Sequence, residues 1–94
     1  MDKEAYQKKL EAQLKEWKAE LDKLKAQAEK KEAEAKISYQ DKIKDLEAQY
    51  QKINEELKGL KETSSETWEG VKKELDKGTD EFKKQLQEIY SKFK

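Results

Sequence analysis

The sequence predicts an all-α protein in which a long coiled-coil helix is followed by a shorter helix, folded back as an antiparallel hairpin. Three observations lead to this fold class. The 94-residue chain has no proline, and Ala, Leu, Glu, Lys and Gln, which are strong helix formers, dominate it. Charged residues make up 47% of the chain and hydrophobic residues 33%, a balance typical of coiled coils and long helices. Apolar residues recur at alternating intervals of four and three, which is the heptad spacing.

The first heptad row, here called the N-terminal seam, lies in a stretch (residues 2–58) that contains neither Gly nor Pro. Tyr6 extends this row loosely at its N-terminal end. Such a row predicts a helix that packs against another helix along its whole length. The N-terminal seam consists of Leu10, Leu14, Trp17, Leu21, Leu24 and Ala28.

A second seam begins at Tyr39, which is 15 residues after Leu24 and therefore one residue out of heptad register. Either a locally unwound helix or a turn within residues 26–36 would absorb this slip. The stretch is rich in Ala and has no Gly, Pro, Asn or Asp, so we predict one continuous helix over about residues 3–62. The alternative is a turn near residues 30–34 and a three-helix bundle. The second seam consists of Tyr39, Ile43, Leu46, Tyr50, Ile53, Leu57 and Leu60.

A cluster of hydroxylated residues at 63–67 predicts the main break in the chain. Ser and Thr side chains bond to nearby backbone groups, which suits caps and turns better than helix interiors. Thr63 and Glu66 have the capping-box spacing, and Ser64 or Ser65 could also cap the next helix. We therefore predict a turn at about residues 63–66 and a last helix at about residues 66–93.

The last helix differs from the first in its apolar period. Trp68, Thr79 and Tyr90 are 11 residues apart, and an 11-residue period corresponds to 3.67 residues per turn, close to a straight helix. In the predicted hairpin, Gly78 of this helix lies opposite Tyr50. Its missing side chain then either makes room for the Tyr50 ring or is only a weak point in the helix.

In the hairpin with one long helix, nothing within the chain covers the N-terminal seam. An uncovered row of Leu and Trp is a binding surface. The sequence therefore predicts a protein-interaction coiled coil that forms a homodimer through this seam, with another helical protein as a further possible partner. Self-association of a structural coiled coil is the first functional hypothesis.

Reversible binding to a lipid or membrane surface by the last helix is the alternative functional hypothesis. Interfacial helices combine an aromatic and Leu-rich face with flanking Lys. The net charge of zero provides little attraction to anionic lipid, so the interaction hypothesis is preferred. The lipid-facing residues in this alternative are Trp68, Val71, Leu75, Phe82, Leu86, Ile89 and Phe93.

The composition predicts no catalytic, cofactor-binding or metal-binding residues. His and Cys are both absent, which removes the commonest nucleophile–base pairs and metal ligands. Carboxylates one helical turn apart, such as Glu16 with Glu20 and Asp41 with Asp45, lie among lysines and are expected on the solvated surface.

The charges and the hydropathy exclude further classes of function. The 22 cationic side chains are all Lys, and they alternate along the chain with 22 Asp and Glu side chains. No basic patch results, so we expect no nucleic-acid partner. No apolar run approaches the length of a membrane span or a signal peptide, and the expected compartment is the cytoplasm.

Two stretches carry a resemblance to known proteins. The segments YQKKLEAQLKEW (residues 6–17) and SETWEGVK (residues 65–72) resemble a group of small, largely uncharacterised bacterial coiled-coil proteins, over most of the chain. The 11-residue period of residues 57–94 is similar to that of apolipoprotein A/E-type helices, although those use Pro between repeats and this chain has none. The first resemblance implies a non-enzymatic coiled coil, and the second implies a lipid-facing helix.

Overall fold

The computed structural model describes residues 2–64 and 66–92 and contains three helices: α1 (Lys3–Glu29), α2 (Ala33–Glu62) and α3 (Trp68–Lys92). The predicted all-α class is confirmed. The helices run up, down and up in a slender bundle with dimensions of 51 × 19 × 17 Å. Ser65 and Phe93, which the sequence assigned to the second turn and the end of the last helix, lie outside the described residues.

The structure has the alternative arrangement, a three-helix bundle, and not the continuous helix predicted over about residues 3–62. Helix α1 ends at Glu29, and Lys30 is still helical with φ −87° and ψ −4°. Glu32 then has φ −66° and ψ 159°, an extended conformation that reverses the chain. The physical reason is burial: folding α1 back onto α2 covers the N-terminal seam, and this outweighs the local helix propensity of residues 26–36.

The two turns of the bundle differ in how they are stabilised. At the first turn, Glu32 caps α2 with no side-chain hydrogen bond. At the second turn, the Thr63 hydroxyl donates to the carbonyl of Leu60 at 2.6 Å, and the Ser64 and Thr67 hydroxyls are 3.1 Å apart. The second turn is therefore stabilised by capping hydroxyl groups, as its hydroxylated sequence predicts, whereas the first turn has no such cap at Glu32.

Helix α1 lies antiparallel to α2. Its N-terminus is capped by Asp2, whose carboxylate accepts from the backbone N–H of Ala5 at 2.8 Å. The Lys3 ammonium reaches across to the carbonyls of Lys61 and Thr63 at the C-terminal end of α2. A cation at this position satisfies carbonyls that have no intrahelical partner and is favoured by the helix dipole.

The first turn of α2 extends beyond the end of α1. Glu29, the last residue of α1, accepts from Lys36 at 2.8 Å and from Gln40 at 3.2 Å, so the end of α1 lies level with the second turn of α2. Residues 33–35, 37 and 38 are correspondingly exposed. Ile37, with 61% of its surface exposed, is the large exposed apolar side chain of this overhang.

The register of α3 against α2 differs from the predicted one. A Cβ atom on Gly78 would lie 3.3 Å from Cγ1 of Ile53, so the glycine packs against Ile53 and not opposite Tyr50. The Tyr39 hydroxyl donates to the carbonyl of Lys92 at 2.5 Å, consistent with the same shift. The shift arises mainly because α3 begins at Trp68 and not at about residue 66.

One apolar core runs along the whole bundle. It contains both seams, although Tyr39 and Tyr50 are only partly buried, and it includes one side of α3. The most completely buried large side chains come from all three helices, and they are Leu24, Leu46, Ile53, Leu60, Leu75 and Phe82.

Candidate interaction surface

The structure places the whole N-terminal seam inside the chain's own core. Trp17 is 6% exposed, and its ring is stacked on that of Phe82 from α3, with centroids 4.4 Å apart and planes at 25°. The predicted interaction surface is therefore covered within one chain. The six residues, all buried, are Leu10, Leu14, Trp17, Leu21, Leu24 and Ala28.

This burial removes the observation on which the homodimer prediction depended. The prediction required an uncovered seam on a long helix, and α2 and α3 together cover it. Any partner that binds the N-terminal seam must first displace these two helices. The surface that covers the seam belongs to the α2–α3 hairpin, and α1 occupies it.

The residues predicted to face lipid form the side of α3 that points into the bundle. Trp68, Leu75, Phe82 and Ile89 are buried, and Val71 and Leu86 are partly buried against the core. Phe93 lies outside the described residues. The pattern that predicted a lipid-facing row therefore coincides with the core-facing row, because both require one apolar side on an amphipathic helix.

The contact between α1 and α3 is the most open side of the bundle. These helices run parallel, and close backbone approaches join α1 with α2 and α2 with α3. Large aromatic rings bridge α1 and α3: Tyr6 contacts Trp68 with centroids 6.0 Å apart, and Trp17 contacts Phe82. A groove of about 580 Å³ runs along this side, lined by Glu16, Trp17, Ala19, Glu20, Lys23, Leu86, Gln87 and Tyr90.

A hydrogen bond marks the other end of the α1–α3 contact. The Tyr6 hydroxyl donates to Asp76 Oδ1 at 2.8 Å, where a smaller groove of about 250 Å³ separates the two helices. Burial of the phenol, the hydrogen bond to Asp76 and the charge of that carboxylate all raise the pKa of Tyr6 above its usual value. This contact fixes the N-terminal part of α1 to α3.

The raised pKa of Tyr6 predicts a loss of stability in alkali. Because the folded-state pKa lies above the unfolded value of about 10, the stabilisation is complete below pH ~10 and is lost as the pH rises beyond it. We expect the free energy of unfolding to fall more steeply above pH 10 in the wild type than in Tyr6→Phe. Urea titrations of both proteins from pH 8 to pH 11.5 check this, since lysine deprotonation is common to both. Parallel pH profiles would contradict the prediction.

Helix α1 is bound to α2 by ion pairs at the surface. Lys61 contacts Glu11 at 2.7 Å, and Lys25 contacts Glu47 at 3.1 Å. The Lys61 ammonium, by hydrogen bond and charge, lowers the pKa of the Glu11 carboxyl. All four side chains are at least a third exposed, so each pair contributes little to stability.

The described residues contain no arrangement of three or more His, Cys, Asp or Glu side chains that could hold a metal ion. The predicted surface carboxylates Glu16, Asp41 and Asp45 are exposed, and Glu20 is partly exposed at the edge of the large groove. No helix in the described part of the chain is long and apolar enough to cross a membrane.

Two features of this surface had no clear sequence signal. The Tyr6–Asp76 hydrogen bond joins residues 70 positions apart, and neither residue is unusual in its local pattern. The groove between α1 and α3 follows from the parallel packing of two helices that are not neighbours in the sequence. The bulk of Trp17 and Phe82 was the one available hint, because large rings hold helices apart.

Comparisons with known protein families, with curated proteins and with solved structures give no match for this chain.

Proposed function

We propose that this chain is a non-enzymatic protein-interaction module in which the α2–α3 hairpin binds an amphipathic helix. Helix α1 occupies the site in the free chain. The observation that carries the proposal is the way α1 is held: by its apolar seam, by exposed ion pairs, by one hydrogen bond to α3 and by a turn without a side-chain cap at Glu32. A helix held in this manner can be replaced by another helix of the same pattern.

The hairpin selects for a defined chemistry in its partner. The partner helix needs apolar residues at alternating spacings of four and three, as in helix-in-groove recognition. It also needs an aromatic residue level with Phe82, where Trp17 stacks in the free chain. Acidic and basic residues beside the row would replace Glu11 and Lys25 in their pairs with α2.

The α1–α3 side favours release of α1. The grooves on this side leave less contact between the two helices than either antiparallel pair has. Few close backbone contacts therefore have to be broken when α1 leaves α3.

A labelled α1 peptide tests the proposed function. We would titrate a fluorescein-labelled peptide of residues 2–30 with the full chain and measure fluorescence anisotropy. In the Leu10→Ala chain the resident helix is weakened by about 2–5 kcal/mol. Because apparent affinity scales with the open fraction, we expect this chain to bind the peptide at least about tenfold more tightly than the wild type does.

The matched control is the same peptide with Leu14→Lys and Leu21→Lys, which keeps the length and helix propensity but destroys the seam. We expect it to leave the anisotropy unchanged. If the wild-type peptide binds the Leu10→Ala chain no better than this control does, the hairpin is not a helix receptor.

Reversible binding of α3 to a lipid surface is a second candidate, favoured by the breadth of the apolar side of α3. Val71, Leu86 and Tyr90 flank the four buried α3 side chains and widen that side. Binding would require α3 to leave the core. Co-sedimentation of the Trp17→Phe chain with anionic phospholipid vesicles, together with a change in Trp68 emission, would support this candidate. Protein that stays in the supernatant with unchanged emission would eliminate it.

A further inference from the structure

We propose that α1 is exchanged between two copies of this chain, giving a domain-swapped dimer in which α1 and α2 form one continuous helix. This inference rests on the proposed function, since it names a second copy of the chain as the partner of the α2–α3 hairpin. In the dimer, α1 of each copy packs into the hairpin of the other. Every contact that α1 makes in the monomer is then remade between copies.

The contacts across the turn between α1 and α2 include those of Glu29 with Lys36 and Gln40 and that of the Lys31 ammonium with the Tyr39 ring. The backbone of this turn needs little change to become helical. Lys30 already has helical φ and ψ, and the clear departure from a helix is the ψ of 159° at Glu32. No described residue here has a positive φ, and Glu32 makes no capping side-chain hydrogen bond. Residues 26–36 are all helix formers, so a helical connection is locally preferred.

The apolar pattern can continue through the turn. In one helix, Ala28, Lys31, Ala35 and Tyr39 follow Leu24 at spacings of four, three, four and four. Three successive spacings of four, from Lys31 through Ala35 and Tyr39 to Ile43, contain the one extra residue of the register, and a continuous helix absorbs it by local unwinding. Both seams therefore lie on the same side of the continuous helix, as the exchanged packing requires.

The overhang of α2 provides the contact that exists only in the dimer. In the monomer, Ala35 is exposed because α1 ends before it reaches this level of α2. In the dimer, the two continuous helices cross in this region, and the small side chain of Ala35 on each allows a close approach. The dimer therefore buries surface that the monomer exposes to water, and a higher protein concentration favours the dimer.

The variant Ala33→Pro separates the two forms. Pro is favoured at the first position of a helix, which Ala33 occupies, and Glu32 already has the extended conformation that a residue before Pro requires. The monomer therefore accepts this substitution. In a continuous helix the same Pro would clash with the Glu29 carbonyl and remove a backbone hydrogen bond.

Deletion of Lys31, in contrast, favours the dimer over the monomer. It shortens the turn and sets Leu24 and Tyr39 two full heptads apart, so that the continuous helix has no register slip. Ala33→Ser is the control, because it keeps the backbone N–H that Pro lacks. Circular dichroism melts first establish that each variant is folded.

Sedimentation velocity over a series of protein concentrations is the experiment. We expect the wild type and Ala33→Ser to form a concentration-dependent dimer, Ala33→Pro to remain a monomer, and the Lys31 deletion to be mainly dimeric. A wild type that stays monomeric at all concentrations, or an Ala33→Pro chain that dimerises as strongly as the wild type, would overturn the proposal. Peptide binding without dimerisation would reject the swapped dimer alone, whereas loss of both would reject the helix receptor as well.

Discussion

Trp17→Ala is expected to lower the free energy of unfolding by about 3–5 kcal/mol, the range for truncating a buried Trp. Trp17 is 6% exposed and stacks on Phe82, so the substitution leaves a cavity where α1 and α3 meet. The loss is large because these two helices have few close backbone contacts that could compensate. A domain of this length is stable by only about 5–15 kcal/mol, so the substitution removes a large fraction of the free energy of unfolding.

Urea unfolding monitored by circular dichroism measures the loss of free energy of unfolding in Trp17→Ala. Trp17→Phe is an intermediate case, because it keeps a stacking ring. The matched control is Ile37→Ala, because Ile37 is also apolar but 61% exposed, and it should change the free energy of unfolding by less than about 0.5 kcal/mol. Similar losses at positions 17 and 37 would mean that the α1–α3 contact does not exist as described.

Leu substitutions at two glycines are expected to have opposite effects. A Cβ atom on Gly78 would already lie 3.3 Å from Ile53 Cγ1, so Gly78→Leu overpacks the α2–α3 contact and costs about 1–3 kcal/mol. Gly59 has no neighbouring atom within 4 Å of the same position and lies on the exposed side of α2. Gly59→Leu therefore improves helix propensity and stabilises the chain by roughly 0.5–1 kcal/mol.

Thermal melts of the two Leu variants beside the wild type compare these effects directly. We expect the midpoint of Gly78→Leu to fall and that of Gly59→Leu to rise. Changes of the same sign would show that Gly78 is only a weak point in α3 and that the close approach to Ile53 has no energetic consequence.

Helix content and the apolar core were readable from the sequence, because both depend on local pattern. The heptad spacing of Leu10 to Ala28 identified one side of α1, and nearly all of these positions and those of the second seam are buried. The hydroxylated cluster also marked the second turn, since Thr63 and Ser64 form the capping contacts that such residues favour.

The first turn was not readable, because no residue between Ala26 and Lys36 has a turn preference. A one-residue slip in register was the only signal, and it is compatible with both a turn and an unwound helix. The chain turns because burial of the N-terminal seam is a property of the whole molecule, which no local rule contains. The same reason explains why the sequence predicted an uncovered binding surface on α1, which the structure covers with the α2–α3 hairpin.

The position of Gly78 shows the limit for contacts between helices. The sequence indicated a close approach at this residue, but the neighbour is Ile53 and not Tyr50. The second turn ends about two residues later than predicted, and this shifts α3 along α2 by a comparable number of residues. Helix boundaries are the least certain feature of a sequence-based prediction. The Tyr6–Asp76 contact was not predictable either, because it joins residues 70 positions apart that have no distinctive local pattern.

The central place of α2 in the bundle has a consequence for how the chain folds. Helix α2 takes part in both antiparallel pairs, which join sequence neighbours, whereas the α1–α3 contacts join residues more than 60 positions apart. Closing long loops is slow relative to pairing adjacent helices, so we expect α2 and one neighbour to pair in the transition state for folding and the parallel contact to form after it. Substitutions in the middle of α2 should then slow folding, and loss of the Trp17–Phe82 stack should mainly accelerate unfolding.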